Sequence, residues 1–317
     1  MTTSSPAPAT DTSPPGTTPE AVCSVAVLGL GAMGLPMATR LSSGLDVRGF
    51  DIAAERLELA RERGVTPCSS AAEAVDGADA LLLAVRDGAQ LDDVLFGEHG
   101  VAPGLREGAV VVLTSTVGTT ALAPVVERLE QQGVDVVDAP LSGGPARAGE
   151  GDLLVVVGAT PQARAKAQPV LDLLASTLTV VGDRPGDGQA LKTVNQLLCG
   201  VHIAAAGEAL ALADALGLDL ERTLEALMAG AASSFMLGDR GRRMLEAHGP
   251  EGAEVRSRLD ILVKDMGIVG DAARAARLAA PVAAAAEQLF LLGAAQGLAT
   301  SDDSAVVRVV RPERATA

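Results

Sequence analysis

The first chemical signal lies in the stretch Gly186–Leu216, where Lys192, Asn195 and Gln196 recur at spacings of three and four. On a helix those spacings share one face. From Gln189 onward the stretch has no proline, one interior glycine (Gly200) and many Ala and Leu residues, a composition that favours helix. Leu191, Val194, Leu197, Leu198, Val201, Ile203, Leu210 and Leu212 point in nearly every direction, the pattern of a helix buried between other elements. A lysine in that setting is costly unless it has a partner or a task. The alternative is that Lys192 lies near the helix start and snorkels to water. Composition sharpens the choice, because Lys166, Lys192 and Lys264 are the only lysines among 25 basic residues. Arginine cannot shed its proton and lysine can, so a retained lysine is a candidate for proton transfer.

The second signal is Gly29-Leu30-Gly31-Ala32-Met33-Gly34, a G-x-G-x-x-G run that follows an apolar strand and opens a helix, with Asp51 20 residues after Gly31. This is the dinucleotide fingerprint in its full context. Gly29 permits a tight turn, Gly31 lets a pyrophosphate approach the backbone at the helix N-terminus, and Gly34 lets the helix pack closely on the strand. Asp51 can accept hydrogen bonds from the adenine ribose and would repel a 2′-phosphate, which favours NAD. Arg48 and Arg56 nearby keep NADP open.

Two further stretches sit where ligands of open α/β sheets gather, beyond the carboxyl ends of strands. Ser142-Gly143-Gly144 exposes backbone N–H groups that suit a carboxylate, or is an ordinary loop. Ser115-Thr116 is a hydroxyl pair at the same sheet edge.

The elements that must carry these residues alternate. Strands are expected at Val22–Leu28, Val47–Phe50, Ala80–Val85, Ala109–Leu113 and Val134–Val137, with helices after the glycine run and at Ala53–Arg63, Ala89–Leu95 and Ala121–Gln132. A last strand pair, Leu153–Val157 and Leu178–Val181, brackets a helix at Pro161–Leu174. Such alternation predicts an α/β Rossmann domain, a doubly wound parallel sheet with helices on both faces. No strand pattern follows Asp183, so the second half should be an all-α helical domain. The expected organisation is a disordered tail at 1–20, a nucleotide domain at 21–184, a helical domain at 185–312 begun by a long interdomain helix, and a short tail at 313–317. The first tail lacks the basic and apolar regions of a signal peptide.

Net charge is −15 and aromatic residues make up 1% of the chain, which argues against a nucleic-acid partner. No run of 18 apolar residues is free of charge, so no membrane span is expected. Cys23, Cys68 and Cys199 are scattered and His99, His202 and His248 isolated. This suits a cytoplasmic protein and suggests no metal site.

With these stretches in order, the chain from about Val22 to Val310 resembles the β-hydroxyacid dehydrogenase family, which includes 3-hydroxyisobutyrate dehydrogenase, tartronate semialdehyde reductase and L-threonate dehydrogenase. GLGAMGLPMA (29–38), STV (115–117), DAPLSGGPARAGEGDL (138–153), GQALKTVNQLL (188–198), KDMGI (264–268) and DDSAV (302–306) resemble its successive motifs. The resemblance implies an NAD(P)-dependent enzyme acting on a small hydroxy acid. It makes Lys192 the acid/base group, with Asn195 and Gln196 orienting substrate. Ser115, Ser142, Gly143 and Gly144 would bind the substrate, chiefly its carboxylate. Val85, Arg86, Thr116 and Lys264 would join the glycine loop and Asp51 around the cofactor. In SSFML (233–237), similar to the L-threonate dehydrogenase branch, Phe235 would line the substrate pocket or be plain core. Leu113, Arg86, Arg40 and Gln196 depart from the residues common in the family. An imine reductase, which normally lacks the lysine, and a non-catalytic nucleotide-binding protein are the rival readings. The Ala-rich, nearly uncharged stretch Ala279–Leu292 predicts a homodimer or homotetramer through the helical domain.

Overall fold

The buried apolar runs of the first half become strands whose alternate residues serve two cores. In the computed structural model, which describes residues 22–311 except His248, Pro250 and Glu251, β1 (Ser24–Leu28) sends Val25 and Val27 to one side of the sheet and Ala26 and Leu28 to the other. The expected tails at 1–20 and 313–317 lie outside the described residues. Along the chain follow α1 (Gly34–Leu41), β2 (Asp46–Phe50), α2 (Ala54–Glu62), β3 (Thr66–Pro67), α3 (Ala71–Val75), β4 (Ala80–Leu83), α4 (Gly88–Phe96), β5 (Val110–Leu113), α5 (Thr119–Glu130) and β6 (Asp135–Asp138). β4 and β5 divide their residues between the same two cores, as strands covered on both faces must. These strands pair in the order β3-β2-β1-β4-β5-β6, all parallel, the doubly wound arrangement.

The sheet then departs from an all-parallel reading. After β7 (Leu141–Ser142) and α6 (Gly144–Glu150), β8 (Leu153–Gly158) runs antiparallel to both β6 and β7. Following α7 (Pro161–Leu174), β9 (Ala175–Gly182) pairs parallel with β8. The connection from β6 to β8 contains no long crossover helix, so β8 returns in the opposite direction. The stretch 138–153 therefore carries a short strand and a seven-residue helix around Gly143 and Gly144, whose φ values are 147° and 76°.

The second half is helical: α8 (Asp187–Ala215), α9 (Leu220–Met228), α10 (Phe235–Glu246), α11 (Leu259–Ala275), α12 (Pro281–Ala295), and a 3-10 turn (Asp303–Val306) leading into α13 (Val307–Val310). Its core is built on Phe290, Met266, Leu259 and Ile203. The 29-residue α8 packs against α10, α11, α12 and α13 and against β8 and β9. By length and composition alone it could cross a membrane, where the sequence is expected to hold no span. Its contacts with every neighbouring layer make it the central helix of the fold. It is not buried all round: Leu191, Val194 and Leu198 are 41%, 58% and 50% exposed. Their spacing puts them on one face that a single chain leaves without a protein neighbour.

Candidate active site

The glycine run builds one wall of a cleft of about 1420 Å³ at the carboxyl ends of β1, β2, β4 and β5. Glycine is demanded at two of its positions by backbone crowding. A Cβ on Gly29 (φ 92°) would lie 2.4 Å from the Ala84 carbonyl oxygen, and one on Gly34 would lie 1.8 Å from the Gly29 carbonyl oxygen. At Gly31 the position of a Cβ has nothing within 4 Å. That open space faces the start of α1, where the loop N–H groups and the helix dipole favour a phosphate. Asp51 is tied to the turn: Oδ2 accepts from the Leu30 N–H at 2.7 Å and Oδ1 from the Ala53 N–H at 2.9 Å. Each carboxylate oxygen keeps a lone pair for a ribose hydroxyl. The Arg48 guanidinium is engaged by the carbonyls of Glu73 and Asp76, and Arg56 does not line the cleft. The cleft exceeds the size of drug-type pockets, and these residues fit a dinucleotide.

Of the sequence-derived cofactor residues, Gly29, Gly31, Ala32, Met33, Gly34, Asp51, Val85, Arg86, Thr116 and Lys264 line this one cleft, together with Ser115. Leu30 lies fully buried beneath it. Lys264 reaches in from α11 and donates to the Thr116 carbonyl at 2.7 Å, so the helical half closes over the nucleotide half.

The proton-transfer candidate stands at the edge of the cleft. Lys192 Nζ donates to the carbonyl of Leu141, 3.1 Å away, and Leu141 itself lines the cleft. Burial pushes the Lys192 ammonium below its ordinary pKa, Asp265 and Cys199 oppose that shift, and the Lys264 charge adds to it. Lysine is thus held in place rather than snorkelling to bulk water. Asn195 is exposed and neighbours it on α8. Gln196, the next residue, is only 9% exposed, and its amide bonds Asp265 and Asn195. Both ends of its amide are therefore engaged within the protein. Ser142 is exposed at the end of β7, and Gly144 borders open space at the start of α6. Ser142, Gly143 and Gly144 are adjacent in sequence to Leu141 but do not line the nucleotide cleft. Phe235, expected in the substrate pocket or the core, is not core: as the first residue of α10 it is 77% exposed, and it does not line the nucleotide cleft.

Two residues that anchor the site escaped the sequence reading. Asp138, fully buried at the end of β6, accepts from the backbone N–H groups of Gly186 and Gln189 at 2.9 and 2.7 Å. It thereby pins the start of α8 to the sheet. Burial raises its pKa even so, against the hydrogen bonds from Gln189. Gln189, also fully buried, accepts from the N–H groups of Val117 and Gly118, both at 2.9 Å, and donates to the Ser115 carbonyl and to Asp138 Oδ1. The signal available was position: Gln189 stands one turn before Lys192, at the start of the helix. Removing its amide leaves these buried groups unpaired, at about 1–3 kcal/mol each. Gln189→Ala should therefore lose about 3 kcal/mol or more in urea unfolding and loosen the Ser115–Gly118 segment. An unchanged midpoint would refute the anchoring role.

Comparison with known proteins meets this geometry. Residues 24–182 match the NAD binding domain of 6-phosphogluconate dehydrogenase, and residues 186–310 match the NAD-binding domain of NADP-dependent 3-hydroxyisobutyrate dehydrogenase. The chain belongs to the β-hydroxyacid dehydrogenase family. Members are NAD(P)-dependent oxidoreductases acting on CH–OH groups. L-threonate dehydrogenase of Cupriavidus necator is 36% identical over 90% of this chain and 95% of its own. 2-Hydroxy-3-oxopropionate reductase of Escherichia coli is 33% identical over 89% and 95%. The crystal structure of 3-hydroxyisobutyrate dehydrogenase from Salmonella typhimurium superposes with a TM-score of 0.83 at 34% identity, covering 90% of this chain and 99% of that one. An imine reductase from Pseudomonas sp. is more distant, with a TM-score of 0.58 and 21% identity, and shares the fold alone.

Proposed function

We propose that this dehydrogenase oxidises a small polyhydroxy acid of the threonate type with NAD, Lys192 serving as general acid/base. The observation that carries the reading is the desolvated Lys192 ammonium, fixed on the Leu141 carbonyl at the rim of the nucleotide cleft. When bound, NAD supplies the hydride acceptor. Lys192, with its pKa lowered, takes the hydroxyl proton in oxidation and returns it to the carbonyl in reduction. Asn195 holds substrate without adding charge, and the Ser115 and Ser142–Gly144 segments offer hydroxyl and N–H donors to the carboxylate. Asp51 on the ribose side, with Arg48 turned away, supports NAD over NADP. The lysine speaks against the imine-reductase and non-catalytic readings. The identity to L-threonate dehydrogenase supports that acid as the first to try.

The test is NAD+ reduction at the nicotinamide band with L-threonate, D-glycerate, 3-hydroxyisobutyrate, 3-hydroxypropionate and 4-hydroxybutyrate. Turnover on one acid with NAD+ preferred is expected; tight cofactor binding with no turnover on any acid would overturn the reading.

The helical half also supports self-association. Leu191, Val194 and Leu198 of α8 and Val282, Leu291 and Leu292 of α12 are each at least 40% exposed, more apolar surface than a monomer normally shows to water. A homodimer or homotetramer through these helices is the expected state by sedimentation, and a clean monomer at micromolar concentration would refute it. The unpaired thiols of Cys68 and Cys199 support a reducing, cytoplasmic setting.

A further inference from the structure

Asp265, Gln196 and Asn195 form a chain of side-chain hydrogen bonds whose direction is fixed at one end. Asp265 is 3% exposed on α11. It meets α8 closely because position 200 is glycine: a Cβ there would lie 2.2 Å from Met266 Sδ. Asp265 Oδ1 lies 2.9 Å from Lys264 Nζ, and Oδ2 accepts from Gln196 Nε2. A lysine-paired carboxylate offers only acceptors, so Gln196 must turn its NH2 group towards it. The Gln196 carbonyl oxygen then faces Asn195 and accepts from Asn195 Nδ2 at 2.9 Å. Nδ2 also donates to Cys199 Sγ, 3.4 Å away. Both hydrogens of the Asn195 amide are thereby committed. Its Oδ1 accepts no hydrogen bond among the described residues and is the one group Asn195 can offer a ligand.

Resting on the dehydrogenase reading above, we propose that Asp265 is a positioning residue. Through Gln196 it holds Asn195 as a hydrogen-bond acceptor towards substrate, and the site therefore selects acids that carry a second hydroxyl beside the one oxidised. The reasoning is a proton count. The reacting hydroxyl has one proton, and Lys192 takes it. That oxygen has nothing left to donate to a carbonyl. Asn195 is exposed, so water satisfies its Oδ1 until substrate displaces it; a vicinal diol then returns an O–H to that oxygen and a monohydroxy acid does not. A site built to pair a substrate hydroxyl rejects the analogue lacking it far more strongly than an apolar pocket would.

Glycerate and 3-hydroxypropionate share a carbon skeleton and differ by one hydroxyl, so their ratio reads the proposal. We expect the wild-type enzyme to prefer glycerate, of either configuration, by about 10-fold or more, the worth of one desolvated hydrogen bond. Asp265→Asn places an amide that can donate to the Gln196 carbonyl and reverse the chain, turning Asn195 Nδ2 outward. Gln196→Met cuts the chain and leaves the Lys264–Asp265 pair intact. Both variants should lose about 10-fold of the glycerate preference while keeping their affinity for 3-hydroxypropionate. The preference is read twice: as kcat/KM, and as the affinity of each acid for the enzyme–NADH complex by NADH fluorescence. The binding measurement stands even if the wild type turns over neither acid, a result that would sink the dehydrogenase reading separately. No diol preference in the wild type, an unchanged preference in Gln196→Met, or a uniform loss for both acids would each overturn the proposal. If Asp265→Asn does not fold, Gln196→Met decides alone.

Discussion

Lys192→Met should lower kcat by about 100- to 10,000-fold, the range of a general acid/base, while NADH binding persists and the folded protein gains stability at neutral pH. The two effects share a cause. Burial depresses the Lys192 pKa, so protonation costs more in the folded than in the unfolded chain. Between the depressed folded value and the ordinary value near 10.5, the unfolded chain binds more protons. Wild-type stability therefore rises with pH across that window, by at most about 1.4 kcal/mol per pH unit. Methionine matches the stem and carries no charge, so the variant lacks this slope. Urea unfolding at pH 7 and pH 9.5 should show the variant's advantage shrinking as pH rises. In the wild type, oxidation should accelerate with pH through the same depressed pKa, because the neutral amine is the base. A variant that retains turnover would transfer the proton role elsewhere. A variant less stable than wild type at pH 7 would mean that the contact with the Leu141 carbonyl outweighs desolvation.

Local chemistry was legible in the sequence wherever one residue type has one use. The glycines at 29, 31 and 34, the acid at 51 and the spared lysines at 192 and 264 all fall around one cleft or at its rim. Period and length gave the strands of the nucleotide half and the helical character of the other. What was not legible depends on partners remote in sequence. Gln189 bonds residues 71 to 74 positions away, and its amide looks like any helix polar residue until those partners are placed. Gln196 faces α8's neighbour rather than the cleft because Asp265, 69 residues on, captures its amide. The reversal at β8 was hidden because an apolar run reads the same in either direction. α8 read as buried all round because periodicity records which residues avoid water, and not whether this chain or a second copy covers them.

Gly31→Ala and Gly34→Ala should fail in opposite ways, although both remove a glycine from the same loop. At Gly34 the added methyl would sit 1.8 Å from the Gly29 carbonyl oxygen and 3.2 Å from the Ala84 side chain. Backbone on one side and β4's extension on the other leave no flexible group to yield, so α1 must move off the sheet. We expect a loss of about 3 kcal/mol or more in urea unfolding, at the upper end of overpacking costs. At Gly31 no atom beyond its own chain neighbours lies within 4 Å of the methyl, and its φ is not in the left-handed region. Folding should be unaffected, or favoured by a few tenths of a kcal/mol through the stiffer unfolded chain. The methyl would instead stand where a pyrophosphate approaches the loop N–H groups. Losing such charge-assisted bonds weakens binding by roughly 10- to 100-fold, read as the NADH dissociation constant by fluorescence. The pair separates what the loop does for the fold from what it does for the ligand. If Gly31→Ala bound NADH as tightly as wild type, the dinucleotide could not lie along this turn, and the cleft would have to hold it in another register.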